Sequence, residues 1–272
     1  MNSLEKRAAS SLSSIYALRM LGLFMIFPVF SLYGQELDGN TPFLIGFAIG
    51  AYGLTQAIFQ IPFGMLSDKI GRKPVIIAGM LIFAIGSVIA AQADSIYGVI
   101  IGRIVQGSGA VAAAVMALAA DLTREEHRLK IMASIGMSIG FAFAVAMVLG
   151  SILNDIIGVN GIFWLTAVFA LLGVVVTIFW VPNAPQTFHR ETEPVPAQFK
   201  NILKDHQLLR LDAGILILHM VLTATFIVIP MALTNEQLVN LPASEHWKIY
   251  LPVMLLAMAI MVPFIIIAES KR

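Results

Sequence analysis

Runs of about 20 apolar residues alternate along the chain with short polar clusters, and each run is long enough to cross a hydrocarbon core of about 30 Å as a helix. The pattern predicts spans at about 14–34, 43–66, 74–92, 96–120, 131–153, 161–181, 212–232 and 248–268, eight crossings in all. The first run, from Ser14 to Tyr33, exceeds a signal-peptide core and lacks a small-residue cleavage site after it, so it reads as a retained helix. The clusters between spans alternate in sign. Glu36 and Asp38, Asp94, Asp155, and Glu236 with Glu245 fall on one side. Lys6 and Arg7, Lys69 with Arg72 and Lys73, Arg124 with Arg128 and Lys130, Arg190 to Arg210, and Lys271 with Arg272 fall on the other. The positive-inside rule then puts the N-terminus and the longest loop in the cytoplasm.

Composition gives the same solvent. Apolar residues make up 58% of the chain and charged residues 12%, too little polar surface to wrap a water-soluble globule, so the lipid bilayer is the expected surroundings. The loop between spans six and seven carries Pro182, Pro185, Pro194 and Pro196 and then a basic stretch. It divides the chain into a six-helix bundle (1–181), a cytoplasmic linker (182–211) suited to anionic headgroups, and two helices that begin a second bundle (212–272). Six spans, a linker and the start of a second set is the layout of transporters built from two halves.

Several chemistries are excluded. With no cysteine there is neither a disulfide framework nor a thiolate metal site. No phosphate-cradling glycine loop appears, nor a nucleophile with its base, nor a His and carboxylate cluster at metal spacing. The expectation is a protein that is not an enzyme, holds no cofactor or metal and has no nucleic-acid partner.

Between spans two and three the chain reads Gly64-Met65-Leu66-Ser67-Asp68-Lys69-Ile70-Gly71-Arg72-Lys73-Pro74. Gly64 permits a close helix approach, Asp68 accepts from Arg72 or from a helix start, Gly71 suits a tight turn, and Pro74 sits in a first turn at no hydrogen-bond cost. This run resembles the signature loop of the major facilitator superfamily, in which a Gly, an Asp, a Gly and paired basic residues stand at these spacings. Arg103-Ile104-Val105-Gln106-Gly107-Ser108-Gly109 resembles the family's arginine-containing fourth-helix motif, and Asp121 stands where the family has an acidic residue that pairs with the signature loop. The resemblance implies an all-α membrane bundle with Asp68, Arg72 and Asp121 as a latch on the cytoplasmic face.

Arg19-Met20-Leu21-Gly22 with Pro28, Gly53 to Ala57, Phe63-Gly64, Ala112 to Leu118 and Glu245-His246-Trp247-Lys248 narrow the resemblance to YajR-type members, which look like drug and proton antiporters. It implies an efflux-type, proton-coupled carrier in a bacterial inner membrane and does not imply a substrate; the solute expected is small and hydrophobic or amphipathic. Two features depart from that pattern. Gly150 is followed by Ser151 rather than Pro, which removes an expected bend, and a single copy with eight spans falls short of a complete alternating-access pore. The alternative is a non-transporting membrane protein that keeps the fold of the first bundle.

Candidate path residues follow from polar groups in apolar runs. Arg103 lies about 10 Å deep in a core of about 30 Å, so it faces a wet cavity or ties a helix contact. Tyr52, Gln56 and Gln60 recur every four residues on one helix face, either lining a path or bonding to neighbouring helices. Gln106 carries the same two readings. No Asp or Glu stands in the middle of a span, which leaves His219 as the ordinary proton carrier or else an interhelical donor. Gly46 with Gly50, Gly136 with Gly140, and Ala110 to Ala114 fit small-residue helix contacts. Fourteen methionines and seventeen phenylalanines suit lipid and core packing, or an adaptable apolar pocket.

Overall fold

The computed structural model describes residues 1–183 and 204–270; Arg190, Lys200, most of the predicted linker, Lys271 and Arg272 lie outside them. The described residues form helices α1 (Ser3–Phe24), α2 (Phe27–Glu36), α3 (Pro42–Ile70), α4 (Arg72–Ala91), α5 (Ile96–Ser108), α6 (Ala112–Asp121), α7 (Glu125–Phe179), α8 (His206–Thr234) and α9 (Trp247–Ser270), with no named strand among them. Six of the helical stretches are long and apolar enough to cross a membrane.

Four predicted spans are built differently from plain rods. The first is a two-piece helix: α1 ends at Phe24, and Pro28 opens the first turn of α2, where its missing N–H is not needed. The fourth is also broken. Gly109 leaves helical geometry (φ −76°, ψ 53°) between α5 and α6, inside the run read as one span. The fifth and sixth are joined in the 55-residue α7, where Gly158 (φ 67°, ψ 176°) interrupts the helical backbone. At 1.5 Å per residue such a length amounts to about 80 Å, more than twice a hydrocarbon core, so the glycine separates two crossings. Between Gly150 and Ser151 the helix runs on without the bend that a proline gives.

Each end of the bundle is tied by its own loops. Asp38 N–H donates to the Asp94 carbonyl (3.4 Å) and Ile96 N–H to the Asp38 carbonyl (3.1 Å), which joins the acidic loops as the alternation of charge requires. At the opposite end, Arg7 donates to the Phe179 and Trp180 carbonyls, both at 2.8 Å. These are orphan acceptors of a helix C-terminus, and a cation beside them also meets the negative end of the dipole.

The bundle core has two apolar clusters, one around Leu12, Ile76, Met80, Phe83 and Val115 and one around Met25, Phe30, Ile49, Val99 and Phe163. Backbone-close crossings hold α4 against α5. A Cβ on Gly86 would lie 2.6 Å from the Gly102 carbonyl oxygen, and one on Gly102 2.7 Å from the Ala90 nitrogen. By contrast, Gly50, Gly136 and Gly140 have nothing within 4 Å, and Gly46 meets only the tip of Ile227 at 3.8 Å. The expected Gly46–Gly50 and Gly136–Gly140 contacts therefore do not form among the described residues, because those glycines face away from the packed interior. Ala110 and Ala114 are buried as expected. Helix α8 touches the bundle chiefly through Phe226, whose ring lies 5.3 Å from Phe27 and 5.7 Å from Phe143.

Candidate functional site

Two polar assemblies stand out, one at the basic end and one inside the bundle. At the basic end, α3 and α4 are separated by Gly71 alone (φ 97°, ψ 154°), a backbone shape that a side chain would strain. That tight reversal sets Asp68 and Arg72 side by side as an ion pair. Arg72 Nε also reaches Asp121 Oδ2 at 3.1 Å, and its Nη1 donates to Ser67 Oγ at 2.7 Å. Ser67 in turn donates to the Gly64 carbonyl at 2.7 Å, and a Cβ on Gly64 would lie 3.4 Å from Ala113 Cβ. The signature residues Gly64, Asp68, Gly71 and Arg72 thus join α3, α4 and the end of α6 through one guanidinium. Lys73 reaches elsewhere, donating to the Val181 carbonyl and, at 2.7 Å, to Asn183 Oδ1. All these partners except Asn183 lie within residues 1–181.

A neighbouring tie escaped the sequence reading. Glu5 accepts from Asn2 and Arg124, with 3.0 Å between Glu5 Oε1 and Arg124 Nε, and its side chain is 2% exposed. It precedes the apolar run that starts at Ser14. The hydrogen bond from Arg124 holds its carboxyl down at about 2. The Asn2-to-Glu5 capping box was legible as a helix start, whereas its partner lies 119 residues away.

Inside the bundle, Arg103 and Arg19 are each 1% exposed. Arg103 Nη1 donates to Gln106 Oε1 at 2.9 Å and its Nε to the Ala48 carbonyl at 3.4 Å, while its guanidinium carbon lies 4.8 Å from the Tyr52 ring centre. Gln106 passes the chain on to Ser87 Oγ at 2.7 Å, which donates to the Phe83 carbonyl. Arg19 approaches Tyr52 from the hydroxyl, 3.1 Å away, and also donates at 3.1 Å to the Gly109 carbonyl, near the break between α5 and α6. Helix α1 thus meets α3 and the α5–α6 break through one side chain. Like Arg103, Arg19 is a charge in the middle of an apolar run and is legible as such in the sequence.

The remaining candidates are dispersed. Tyr52 points inward, while Gln56 and Gln60, one and two turns along the same face, are only half-buried. His219 is on an exposed face of α8 and its Nδ1 bonds to the Ile215 carbonyl of its own helix at 2.9 Å, apart from the arginine cluster. At the acidic end a cavity of about 760 Å³ opens beside Tyr33, Glu36, Asn154, Gly158, Asn160 and Thr234; Tyr33 donates to Asn160 at 2.6 Å on its wall.

Comparison with known proteins gives the family and the fold. The family model described as Major Facilitator Superfamily matches residues 12–270. The chain is 52% identical over 269 residues to the inner membrane transport protein YajR of Escherichia coli (strain K12), covering 98% of this chain and 59% of that protein. It is 39% identical over 273 residues to an uncharacterised transporter of Buchnera aphidicola subsp. Acyrthosiphon pisum (strain APS), covering all of this chain and 69% of the relative. Among solved structures, a bacterial homologue of the human lysosomal transporter Spinster, in an inward-facing and unoccupied conformation, superposes with a TM-score of 0.71 at 14% identity, over 93% of this chain and 60% of that one. The chain therefore spans about three-fifths of YajR. On the family match, the identity and the shared helical fold, this all-α integral membrane chain belongs to the major facilitator superfamily.

Proposed function

We propose that the chain works as a secondary transporter that moves a small hydrophobic or amphipathic solute outward by alternating access, coupled to protons. The observation that carries this reading is the Asp68–Arg72–Asp121 cluster, which closes the basic ends of α3, α4 and α6 with a single shared cation. A latch of this kind suits a gate, because partly exposed ion pairs hold an interface by a small net free energy and release it without a large barrier. The basic end faces the cytoplasm of a bacterial inner membrane, in keeping with the positive-inside rule and with YajR's being an inner membrane transport protein. Residues 1–181 form the first bundle, 182–211 the linker and 212–272 the start of the second. Gln56 and Gln60 line the solute path, and His219 exchanges the proton with a changing environment.

The test is proton flux in proteoliposomes loaded with a trapped pH dye, with lipophilic cations added as trial solutes. Solute-dependent flux that falls about tenfold in Asp68→Asn, at equal incorporation, is the expected result. Wild-type flux in Asp68→Asn would remove the latch assignment. Absence of flux with every trial cation would remove the proton-coupled export of such solutes.

A further inference from the structure

We propose that Arg19 and Arg103 form a binding site for one small monoanion, a carboxylate or a halide, beside Tyr52 where α1, α3 and α5 meet. Both guanidiniums are 1% exposed and stand in apolar helices, and an arginine stays charged at any pH the protein meets. Two like charges are therefore desolvated close to one tyrosine. What surrounds them is neutral: the Tyr52 hydroxyl, the Gly109 and Ala48 carbonyls, Gln106 Oε1, and the rings of Phe83 and Tyr52. Among the described residues neither is paired with a carboxylate, although Arg72 and Arg124 at the basic end each are.

Neutral acceptors do not complete the pair. Arg19 Nε and Nη1 and Arg103 Nη2 are buried without a hydrogen-bond partner in the protein, three charged-group nitrogens that no side chain or carbonyl satisfies. Polar groups so placed in native proteins meet water or an ion, and an unpaired buried charge is far costlier than an unpaired amide. One monoanion supplies both needs, since it halves the buried charge and accepts from the forked donors that arginine, unlike lysine, presents in a plane. The apolar ring faces of Tyr52 and Phe83 favour a carboxylate on an apolar body over a strongly hydrated polyanion. If that carboxylate belongs to the transported solute, the proposal rests on the transport reading; binding itself does not.

The experiment is the unfolding temperature of the purified chain in detergent, followed by tryptophan fluorescence. Chloride, benzoate and neutral benzamide are added in turn, with ionic strength held by sodium HEPES, whose sulfonate monoanion is too bulky for a buried site. Wild-type protein is expected to gain about 5 °C at a hundredfold excess over Kd with benzoate or chloride and nothing with benzamide. The gain is expected to vanish in Arg19→Gln and Arg103→Gln and to shrink in the charge-keeping Arg19→Lys and Arg103→Lys. A gain with chloride assigns the site to a free inorganic anion, and a gain with benzoate alone assigns it to the acid group of an organic solute. No gain with either anion, or an equal gain with benzamide or in both glutamine variants, overturns the proposal and leaves water around the guanidiniums. If the glutamine variants do not fold, the wild-type comparison of benzoate, chloride and benzamide decides. Because this readout needs no flux, failed transport with retained binding is told apart from failed binding.

Discussion

Adding a single methyl group at Gly86 tests how the bundle is held together. The new Cβ would lie 2.6 Å from the Gly102 carbonyl oxygen and 2.8 Å from Gln106 Cγ, with the Gln106 nitrogen closer still. Two of these are backbone atoms and cannot rotate away, so α4 and α5 must separate by several tenths of an ångström along their shared face. Overpacking of this kind costs about 1–3 kcal/mol, and a gap of 0.5–1 Å forfeits roughly a quarter to a half of each dispersion contact across it. Gln106 is also displaced from Arg103 and Ser87. Weakening a hydrogen bond to a charged group adds about 1.5–3 kcal/mol. Gly86→Ala is therefore expected to cost about 4 kcal/mol and to lower the unfolding temperature by about 10 °C, read by circular dichroism at the helix band in detergent. Gly140→Ala is the control, since nothing lies within 4 Å of that position. Replacing a helical glycine there is expected to stabilise by about 0.8–1 kcal/mol. Equal unfolding temperatures for Gly86→Ala and wild type, or a Gly140→Ala as unstable as Gly86→Ala, would refute the packing argument.

Further outcomes follow from single residues. Gly158 has φ 67° and ψ 176°, a region open essentially to glycine alone, so Gly158→Ala is expected to cost about 1–3 kcal/mol, measured as a lower unfolding temperature in the same assay. Asp121→Asn removes one of two carboxylates from Arg72 while Asp68 stays. Its stability cost is expected below about 1 kcal/mol, and because the chain has no cysteine, spin labels introduced at the ends of α3 and α6 can report any widening directly. The Glu5 carboxyl is held at about 2 against an ordinary 4.5; a depressed folded-state value means that its tie to Arg124 is fully present above about pH 4.5 and is lost as pH falls towards 2. Acid titration of Glu5→Gln is expected to show a smaller loss of stability across that window than wild type.

The positions of apolar runs and the sign of the loops between them were fixed by the bilayer, whose thickness and lack of water leave helices as the economical solution for this composition. The sequence alone therefore determined the all-α membrane fold, the pairing of acidic loops at one end, and the signature reversal at Gly71, where local chemistry leaves few alternatives. It also put Asp68 four residues before Arg72. Arg19 was equally readable as a charge in an apolar run, but not its partners. Only the tertiary structure brought Arg19 to Tyr52 and Gly109, Glu5 to Arg124 and Arg103 to Ala48, contacts separated by 33 to 119 residues. It also decided which glycines are packed: the four-residue spacing of Gly136 with Gly140 matches a helix contact as well as that of Gly86 with Ala90 or Gly98 with Gly102 does. The physical reason is that spacing says which residues share a helix face, whereas the partner of that face depends on how helices distant in the chain cross.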